Sequence, residues 1–493
     1  MAKRPNLYVL LGILRSASQE EIRHAYLKAV KKLHPDKNGP GATEMFLDVQ
    51  EAYETLADPD RRAAYDATLP KEKENESSIP FNCEVVLSRS YVPRMRDTQL
   101  VYALVKLAPS VEFGQQVIAP TLNVCLAIDC STSMKGEKLD IVKSTAIALL
   151  RKLRPQDFFS VVTFSDRAEV LIPATRQVDI RRSEIKIQML NTYGGTEILR
   201  GLEAAYREVQ QYASSKYVNH IILLTDGQTY GDEEACYHLA DLAIKNNIGI
   251  TGMGLGAEWN DVFLDQLSGI AGSSAIFVAQ PQDIYRLLTE KFNKLGKVCA
   301  ETVTFDYQLH ADIELNYAFR LSPNSNALPI ETPIQFGSIL RDEPFSLLME
   351  LRILPKAILK ARSVSVLSGH IKILAANLSS PVPLIPINIA MPVSTEISQD
   401  SPPDVIVKAL SKLTLYRMQE RARLEVNEGK FEEAAEHLKT LATRLLAQGE
   451  RALAQTVLLE AENITQKKAF SENGEKQLKY GTRSLLMPGN MPK

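Results

Sequence analysis

The sequence predicts a multidomain chain with an N-terminal all-α domain, a doubly wound α/β domain inserted in a β-sandwich, and a C-terminal α-helical segment. The α/β domain is expected to contain a Rossmann-like parallel sheet. Three observations lead to this prediction. Apolar residues recur at helical spacing over 22–33 and 45–56. Mainly apolar runs at 122–128 and 218–224 are typical of buried parallel strands, and alternating segments on both sides of that region are typical of sandwich strands.

The same patterns place the domain boundaries. With 493 residues, the chain is too long for a single hydrophobic core. We expect an all-α domain (1–70), a charged linker (71–79), the first part of the β-sandwich (80–119), the α/β domain (120–296), the second part of the sandwich (297–395), a helical bundle (402–467) and a partly ordered tail (468–493). Neither set of flanking strands is sufficient alone to form a compact domain, so we expect one sandwich that the α/β domain interrupts. Separate β elements packed on the α/β domain are the alternative.

Composition and charge disfavour several classes of partner. A net charge of −2 argues against nucleic acid and anionic membrane surfaces, since both attract basic proteins. The amino terminus lacks an apolar signal segment. The sequence also has no run of about eighteen apolar residues, which would predict membrane insertion. The five cysteines are scattered without C-x-x-C spacing, which fits reduced thiols and disfavours thiolate-bound zinc. We therefore expect a cytoplasmic protein.

The first helix of the N-terminal domain has two different sides. Ser18 can cap this helix, and apolar residues from Ile22 to Leu33 form one side. Four basic side chains lie on the opposite side: Arg23, Lys28, Lys31 and Lys32. The loop His34-Pro35-Asp36 follows, in which the proline restricts the backbone, and a second apolar stripe from 45 to 56 completes a helical hairpin. On this pattern alone, the basic side is an ordinary solvated face.

This hairpin resembles the J-domain of DnaJ-type co-chaperones across essentially its whole length. The resemblance rests on His-Pro-Asp between two helices and on the flanking segments Leu7-Tyr-Val-Leu-Leu-Gly-Ile13, Ala52-Tyr-Glu-Thr-Leu-Ala-Asp-Pro59 and Arg61-Arg-Ala-Ala-Tyr-Asp66. It implies a DnaK-type chaperone ATPase as partner. It further implies a loop that stimulates ATP hydrolysis in that partner, made of His34, Pro35 and Asp36, and a docking face made of Arg23, Lys28, Lys31 and Lys32. The resemblance implies no chemistry performed by the domain itself.

Oxygen-bearing side chains follow two of the predicted buried strands. Asp129, Ser131 and Ser133 end the first strand, and Asp226 ends the other; Thr196 follows two glycines and opens a helix. Because ligands of open α/β sheets lie beyond the carboxyl ends of the strands, we expect these side chains at one rim. Carboxylates and hydroxyls suit a hard divalent cation better than zinc or copper. The spacing alone is a weak signal, since short Asp/Ser patterns often cap helices.

The three segments resemble the metal-ion-dependent adhesion site of the von Willebrand factor type A (VWA) domain, and the resemblance covers residues 120–295. All five family positions are filled, so an intact site is expected. The resemblance implies that Mg²⁺, or another hard divalent cation such as Mn²⁺ or Ca²⁺, is held by Asp129, Ser131, Ser133, Thr196 and Asp226. It also implies that an acidic side chain of a partner protein completes the coordination. A degenerate site that folds without metal is the alternative.

The two resemblances predict a co-chaperone or adaptor and not an enzyme. The VWA domain would bind an acidic group of a partner protein, and the J-domain would recruit a DnaK-type ATPase and stimulate it. One alternative is a scaffold subunit of a larger AAA+-type assembly with a non-essential J-domain. A metal-dependent hydrolase is less favoured, because the sequence nominates neither a general base nor a substrate pocket beside the ion, and no catalytic residue is assigned.

Overall fold

The chain divides into two compact units, residues 1–78 and 79–493. The computed structural model describes residues 80–110, 113, 119–228, 231–359, 361–375, 382–395, 401–471 and 473–486, together with positions 7, 19, 22–23, 26, 30, 49–58, 60–62 and 65 of the first unit.

The described residues of the first unit are mainly helical and carry the expected apolar stripes. Positions 22, 23, 26 and 30 and positions 49–56 are helical. Four apolar side chains are buried: Ile22, Val49, Ala52 and Leu56. The rings of Tyr26 and Tyr53 stack with their centroids 4.1 Å apart. The two helical segments therefore pack through the faces that their periodicity indicates.

In the second unit, three strands precede the α/β domain. They are β1 (Phe81–Leu87), β2 (Val92–Pro93) and β3 (Gln99–Pro109). β1 pairs antiparallel with β3, from Phe81 opposite Pro109 to Leu87 opposite Ala103. A two-stranded ribbon of this kind cannot bury a face alone, so it needs partners from elsewhere in the chain.

The α/β domain then alternates strands and helices. Its elements are β4 (Thr121–Asp129), α1 (Glu137–Leu150), β5 (Phe158–Phe164), β6 (Ala168–Thr175), α2 (Ile180–Gln188), α3 (Ile198–Gln210), β7 (Tyr217–Thr225), α4 (Glu233–Lys245), β8 (Ile248–Leu255), α5 (Asp261–Ile270), β9 (Ile276–Val278) and α6 (Asp283–Leu295). The sheet order is β6-β5-β4-β7-β8-β9, and every pairing is parallel except that of β5 with β6. The carboxyl ends of β4, β5, β7 and β8 therefore share one rim.

Helices cover both faces of this sheet. Buried side chains of α1 and α6 pack on one face, and those of α3, α4 and α5 pack on the other. All residues of β5, and all but the first residue of β4 and β7, are buried. This two-sided burial explains why the central strands are mainly apolar and show no alternation of apolar and polar residues.

The chain leaves the α/β domain after α6 and returns to β structure. The remaining strands are β10 (Val298–Leu309), β11 (Ile313–Ser322), β12 (Asn326–Leu328), β13 (Ile334–Leu340), β14 (Phe345–Ile353), β15 (Ser363–Leu374) and β16 (Ile385–Ser394), with a short helix α7 (Pro355–Ile358) after β14. In β16, Ile385, Ile387, Ile389 and Met391 are buried while the residues between them are exposed. Such alternation is typical of a strand with one face on a core and one in solvent.

Strands from both sides of the α/β domain combine into one sandwich. The two five-stranded sheets have the orders β1-β3-β14-β11-β12 and β13-β10-β15-β16-β2. β3 pairs antiparallel with β14, with Leu107 opposite Phe345. One buried cluster includes side chains from both sheets, among them Val101, Phe305 and Met349. The predicted fold class, an α/β domain inserted in a β-sandwich between an all-α domain and C-terminal helices, is confirmed.

Four helices end the described chain. They are α8 (Asp404–Asn427), α9 (Phe431–Ala447), α10 (Arg451–Lys467) and α11 (Gly474–Ser484). α9 and α10 share a core with Leu415 of α8 and Leu478 of α11. The region from 468 onward, for which only partial order was expected, thus contains a packed helix. Gly474 allows this packing, because a β-carbon there would collide with the Glu460 carboxylate.

Candidate functional site

Asp129 lies at the carboxyl end of β4 and is fully buried. Its Oδ1 accepts a hydrogen bond from the Ser131 backbone N–H at 2.8 Å, and its Oδ2 accepts one from the Thr225 hydroxyl at 2.6 Å. Thr225 is the last residue of β7, which pairs with β4. These bonds fix the carboxylate between two strand ends and turn the chain toward the serines that follow.

Ser131, Ser133 and Asp226 form a cluster of oxygen atoms at the same rim. The Oγ atoms of Ser131 and Ser133 are 3.0 Å apart, and the Ser133 hydroxyl donates to Asp226 Oδ1 at 2.6 Å. Ser131 and Asp226 are buried, whereas Ser133 is exposed. The cluster is therefore open to solvent on the Ser133 side.

Thr196 reaches this rim through the turn at Gly194 and Gly195. Gly194 has φ +67°, and a β-carbon there would collide with the carboxylate of Asp166. The same carboxylate accepts a hydrogen bond from the Gly195 N–H at 2.5 Å. Thr196 Oγ1 lies 2.7 Å from the position that a β-carbon at Gly227, the residue after Asp226, would take. All five predicted oxygen donors are thus at the rim formed by β4, β5 and β7.

The donor set fits a hard divalent cation in chemistry, and one pair of donors has a suitable spacing. With Mg²⁺–O distances of about 2.1 Å, adjacent ligands of an octahedron are about 3.0 Å apart. The Oγ atoms of Ser131 and Ser133 have this separation, 3.0 Å. In the described part of the chain, no three His, Cys, Asp or Glu side chains form a group that could hold a metal. A cation at this rim would therefore depend on hydroxyl oxygens, which favours hard ions over zinc or copper.

The two aspartates of the site have different electrostatic surroundings. The pKa of Asp129 is raised to about 6, chiefly by burial and also by the charge of Asp226, although hydrogen bonds from Thr225 and Ser131 oppose the rise. Asp226 forms an ion pair with the Lys138 ammonium, and its own side chain is 0% exposed. A divalent charge at the rim would relieve the repulsion between the two carboxylates.

Three contributors to the rim were not predicted from the sequence. Lys138 pairs with Asp226, Asp166 supports the glycine turn, and Thr225 holds Asp129. Thr225 ends β7 and Asp166 lies two residues after the end of β5, so strand-end position was a usable signal for them. Lys138 lies in helix α1, and nothing in its local sequence separates it from an ordinary solvated lysine.

Helix α11 contacts the loop beside the site. Gly256 follows β8, and a β-carbon there would lie 3.8 Å from Lys138 Nζ. Lys476 of α11 donates a hydrogen bond to a backbone carbonyl of the same loop. The Trp259 ring is buried, and its centroid is 5.9 Å from that of Tyr480 in α11. The C-terminal helices therefore support the loop that contacts the Asp226 counter-ion.

Buried ion pairs hold α11 against the α/β domain. Lys479 Nζ lies 2.6 Å from Asp261 Oδ2 and 2.7 Å from Asp265 Oδ2. Arg423 of α8 also pairs with Asp261 at 3.1 Å, and Arg483 pairs with Asp265 at 2.8 Å. Burial alone would raise the pKa of Asp265, but Arg483 and Lys479 outweigh it and hold the pKa below its ordinary value. Both aspartates are thus stabilised in their charged form.

The candidate chaperone-binding residues fall mostly outside the described residues. His34, Pro35 and Asp36 of the loop and Lys28, Lys31 and Lys32 of the docking face lie there. Arg23 is described, and it is helical and exposed next to the buried Ile22. This placement agrees with a basic side that faces solvent.

Three family models match separate parts of the chain. Residues 6–66 match the DnaJ domain, residues 123–290 match the von Willebrand factor type A domain, and residues 404–488 match the Sll0103-like C-terminal alpha-helical domain. The chain contains a DnaJ domain and a VWA domain. A DnaJ domain implies a partner ATPase of the DnaK type.

Similar proteins fall into two groups. The uncharacterized protein sll0103 of Synechocystis sp. is 25% identical over 388 residues, which are 75% of this chain and 90% of that protein. The chaperone protein DnaJ of Thermosipho melanesiensis is 54% identical over 69 residues, 13% of this chain. The match spans 18% of the DnaJ chain, so only the DnaJ domain is shared.

Two solved structures share the fold of the second unit. A von Willebrand factor type A protein from Catenulispora acidiphila superposes with a TM-score of 0.65 at 15% identity, covering 82% of this chain and 96% of the other. The ArnB paralog VWA2 from Sulfolobus acidocaldarius gives 0.53 at 15% identity, covering 84% and 100%. At this identity the likeness concerns the fold alone. Within the described residues, no helix has the length and apolar character that a membrane crossing needs.

Proposed function

We propose that this chain is a J-domain co-chaperone that captures a partner protein through a divalent cation and brings a DnaK-type ATPase to it. Asp129, Ser131, Ser133, Thr196 and Asp226 would hold the cation, Mg²⁺ or a similar hard ion. The observation that carries the proposal is that these five donors lie at one rim, open at Ser133, in a chain that also contains a DnaJ domain.

The rim residues have distinct tasks in this proposal. The Ser131 and Ser133 hydroxyls would bind the ion directly, while the buried Asp129 orients the turn that presents them. When bound, the cation would supply a coordination position that an acidic oxygen of the partner can fill. The exposed Ser133 side gives that oxygen an approach. Specificity for the partner would then come from the surface around the rim.

The DnaJ domain would act on the captured partner through proximity. Two binding sites on one chain raise the local concentration of the ATPase at the partner, without strong affinity at either site. His34, Pro35 and Asp36 would stimulate ATP hydrolysis, and Arg23, Lys28, Lys31 and Lys32 would dock the ATPase. In this proposal the chain works in the cytoplasm and has no catalytic activity of its own.

The metal half of the proposal is tested by titrating Mg²⁺ and Mn²⁺ into the full chain by calorimetry, and by capturing partner proteins with and without chelator. Ser133→Ala removes one exposed donor and should weaken cation binding about tenfold or more. Ser144→Ala is the matched control, because it removes an exposed hydroxyl that bonds only within α1. Capture that is insensitive to chelator, or equal for both variants, contradicts this half.

The chaperone half is tested separately with a purified DnaK-type ATPase. His34→Gln should abolish stimulation of ATP hydrolysis and leave cation-dependent capture unchanged. Ser133→Ala should show the opposite pattern. If His34→Gln stimulates like the unaltered chain, the co-chaperone assignment fails even where the metal assignment stands.

A further inference from the structure

A small cavity lies at the opposite end of the α/β sheet from the candidate metal site. Its volume is about 40 Å³, and its lining includes Val218 and Gly249 near the amino ends of β7 and β8. Residues of the sandwich complete the lining, among them Thr302 and Gly337. The cavity therefore lies between the α/β domain and the sandwich. A water molecule needs about 10–15 Å³ by this measure, so the space suits about three waters or one small ion.

Two cationic side chains line this cavity. Arg320 is 1% exposed, and its guanidinium donates hydrogen bonds at 2.8 Å to the backbone carbonyls of Asn324, Phe336 and Ser273. These carbonyls satisfy the N–H groups but leave the charge without an opposite charge. Lys291 lies on the same cavity, and its Nζ donates to the Ser273 hydroxyl at 3.3 Å.

The electrostatic surroundings of Lys291 are unfavourable to its own charge. Burial and the neighbouring cations Arg320 and Lys294 lower the pKa of Lys291 to about 7. Burial and Arg483 lower the pKa of Arg320 to about 9. Glu301 is the one acidic side chain among the described lining residues, but no acidic group contributes to the pKa shift of Lys291 or of Arg320. Arg320 is buried and Lys291 is half-buried, and such charges are costly without counter-charges, so the cavity favours a negatively charged occupant.

A chain of polar side chains extends the cavity wall. The Ser273 hydroxyl is 2.7 Å from the Thr251 hydroxyl, which is 2.8 Å from His220 Nε2. Burial and Lys291 keep the pKa of His220 well below its ordinary value, so the imidazole is neutral. Because Nε2 of a neutral imidazole can either donate or accept a hydrogen bond, the Ser273 hydroxyl can point its proton either toward Thr251 or toward the cavity.

We propose that this cavity binds one small inorganic anion, a halide or a tetrahedral oxyanion, between the Lys291 ammonium and the Arg320 guanidinium. The anion supplies the counter-charge that both cations lack and accepts a hydrogen bond from Lys291. Because residues of both domains line the cavity, the bound anion also links the VWA domain to the sandwich. This binding is independent of the cation and of the DnaJ domain.

The test measures the thermal unfolding of the full chain in sodium phosphate, chloride and gluconate at equal ionic strength. Gluconate is too large for the cavity and serves as the reference. In the unaltered chain, phosphate, chloride or both should raise Tm saturably, by roughly 2 °C at tenfold excess over Kd. Lys291→Met should abolish the rise, and Lys291→Arg should keep part of it. Arg286→Met, on the same helix but 57% exposed and paired with Asp283 at 2.9 Å, should keep all of it.

A second measurement does not depend on the variants. Crystals of the unaltered chain soaked in bromide should show an anomalous peak between Lys291 and Arg320, and phosphate should displace it. A response to phosphate alone identifies an oxyanion site, and a response to both anions identifies a general small-anion site. Equal Tm in all three salts together with no bromide peak, or a rise that Lys291→Met retains, overturns the proposal.

Discussion

Replacing Lys479 with methionine should release helix α11 from the VWA domain before the rest of the chain unfolds. The lysine side chain is 6% exposed, and its ammonium bonds both Asp261 and Asp265, at 2.6 and 2.7 Å. Removing one partner from a buried ion pair costs about 3–5 kcal/mol when the remaining charge is left alone. Here each aspartate keeps an arginine partner, so we expect about 2 kcal/mol.

Trp259 reports on this release, because it is the only tryptophan and packs against Tyr480 of α11. Its fluorescence should shift to longer wavelength during urea unfolding when α11 separates. With a slope of about 2 kcal/mol per molar urea, a loss of about 2 kcal/mol lowers the midpoint by about 1 M. Lys245→Met is the control, since its pair with Asp241 is between side chains that are 69% and 51% exposed.

The control should shift the midpoint by less than about 0.5 M, because exposed ion pairs contribute below about 1 kcal/mol. Two outcomes refute the reasoning. One is a Lys479→Met midpoint equal to that of the unaltered chain. The other is a shift of equal size in Lys245→Met, which would show that loss of any lysine has this effect.

Three further predictions concern other contacts. Gly337→Ala should destabilise the chain by more than about 2 kcal/mol in chemical unfolding, since its β-carbon would collide with a backbone carbonyl of the α/β domain. Gly429→Ala is the control: this glycine is also at φ +79° but has no atom within 4 Å of the added β-carbon, so the change should cost only about 1 kcal/mol. Gly227→Ala should weaken Mg²⁺ affinity in calorimetry, because the new β-carbon would lie 2.7 Å from Thr196 Oγ1; an unchanged affinity would argue against Thr196 as a donor. The pKa of Lys291 is lowered to about 7 in the folded chain, below its unfolded value of about 10.4. Between these two pH values the unfolded chain binds more protons, so the stability of the folded chain should rise as the pH increases from about 7 to about 10. Lys291→Met should flatten this rise, measured as Tm.

The sequence predicted that these oxygen-bearing side chains lie at one rim, because most of them follow strand ends that can be recognised in the sequence. Asp129 comes directly after the first apolar run and Asp226 follows the second after one residue, Thr225, and parallel pairing of β4 and β7 brings such positions together. Lys138 could not be predicted in this way. Its contact with Asp226 depends on how α1 lies on the sheet, which local periodicity does not specify. The same holds for Arg320, whose partners include the backbone carbonyls of Phe336 in β13 and of Ser273 after α5.

The C-terminal helix shows a different reason for a missed element. Gly474 and Gly481 lower the helix propensity of this stretch, so composition favours partial order. In the structure both glycines lie where a side chain would collide, with Glu460 and Leu453 respectively. Close packing therefore outweighs the entropic cost of two glycines in one helix. Propensity alone contains no information on such contacts.

The order in which the sandwich strands are synthesised affects how this protein can fold on the ribosome. β3 pairs with β14, and the whole VWA domain is translated between them. Until β14 emerges, the apolar face and one open edge of the β1–β3 ribbon are without their final neighbours, a condition that invites association with other nascent chains. The nascent chain would thus itself be a candidate substrate for chaperones during synthesis.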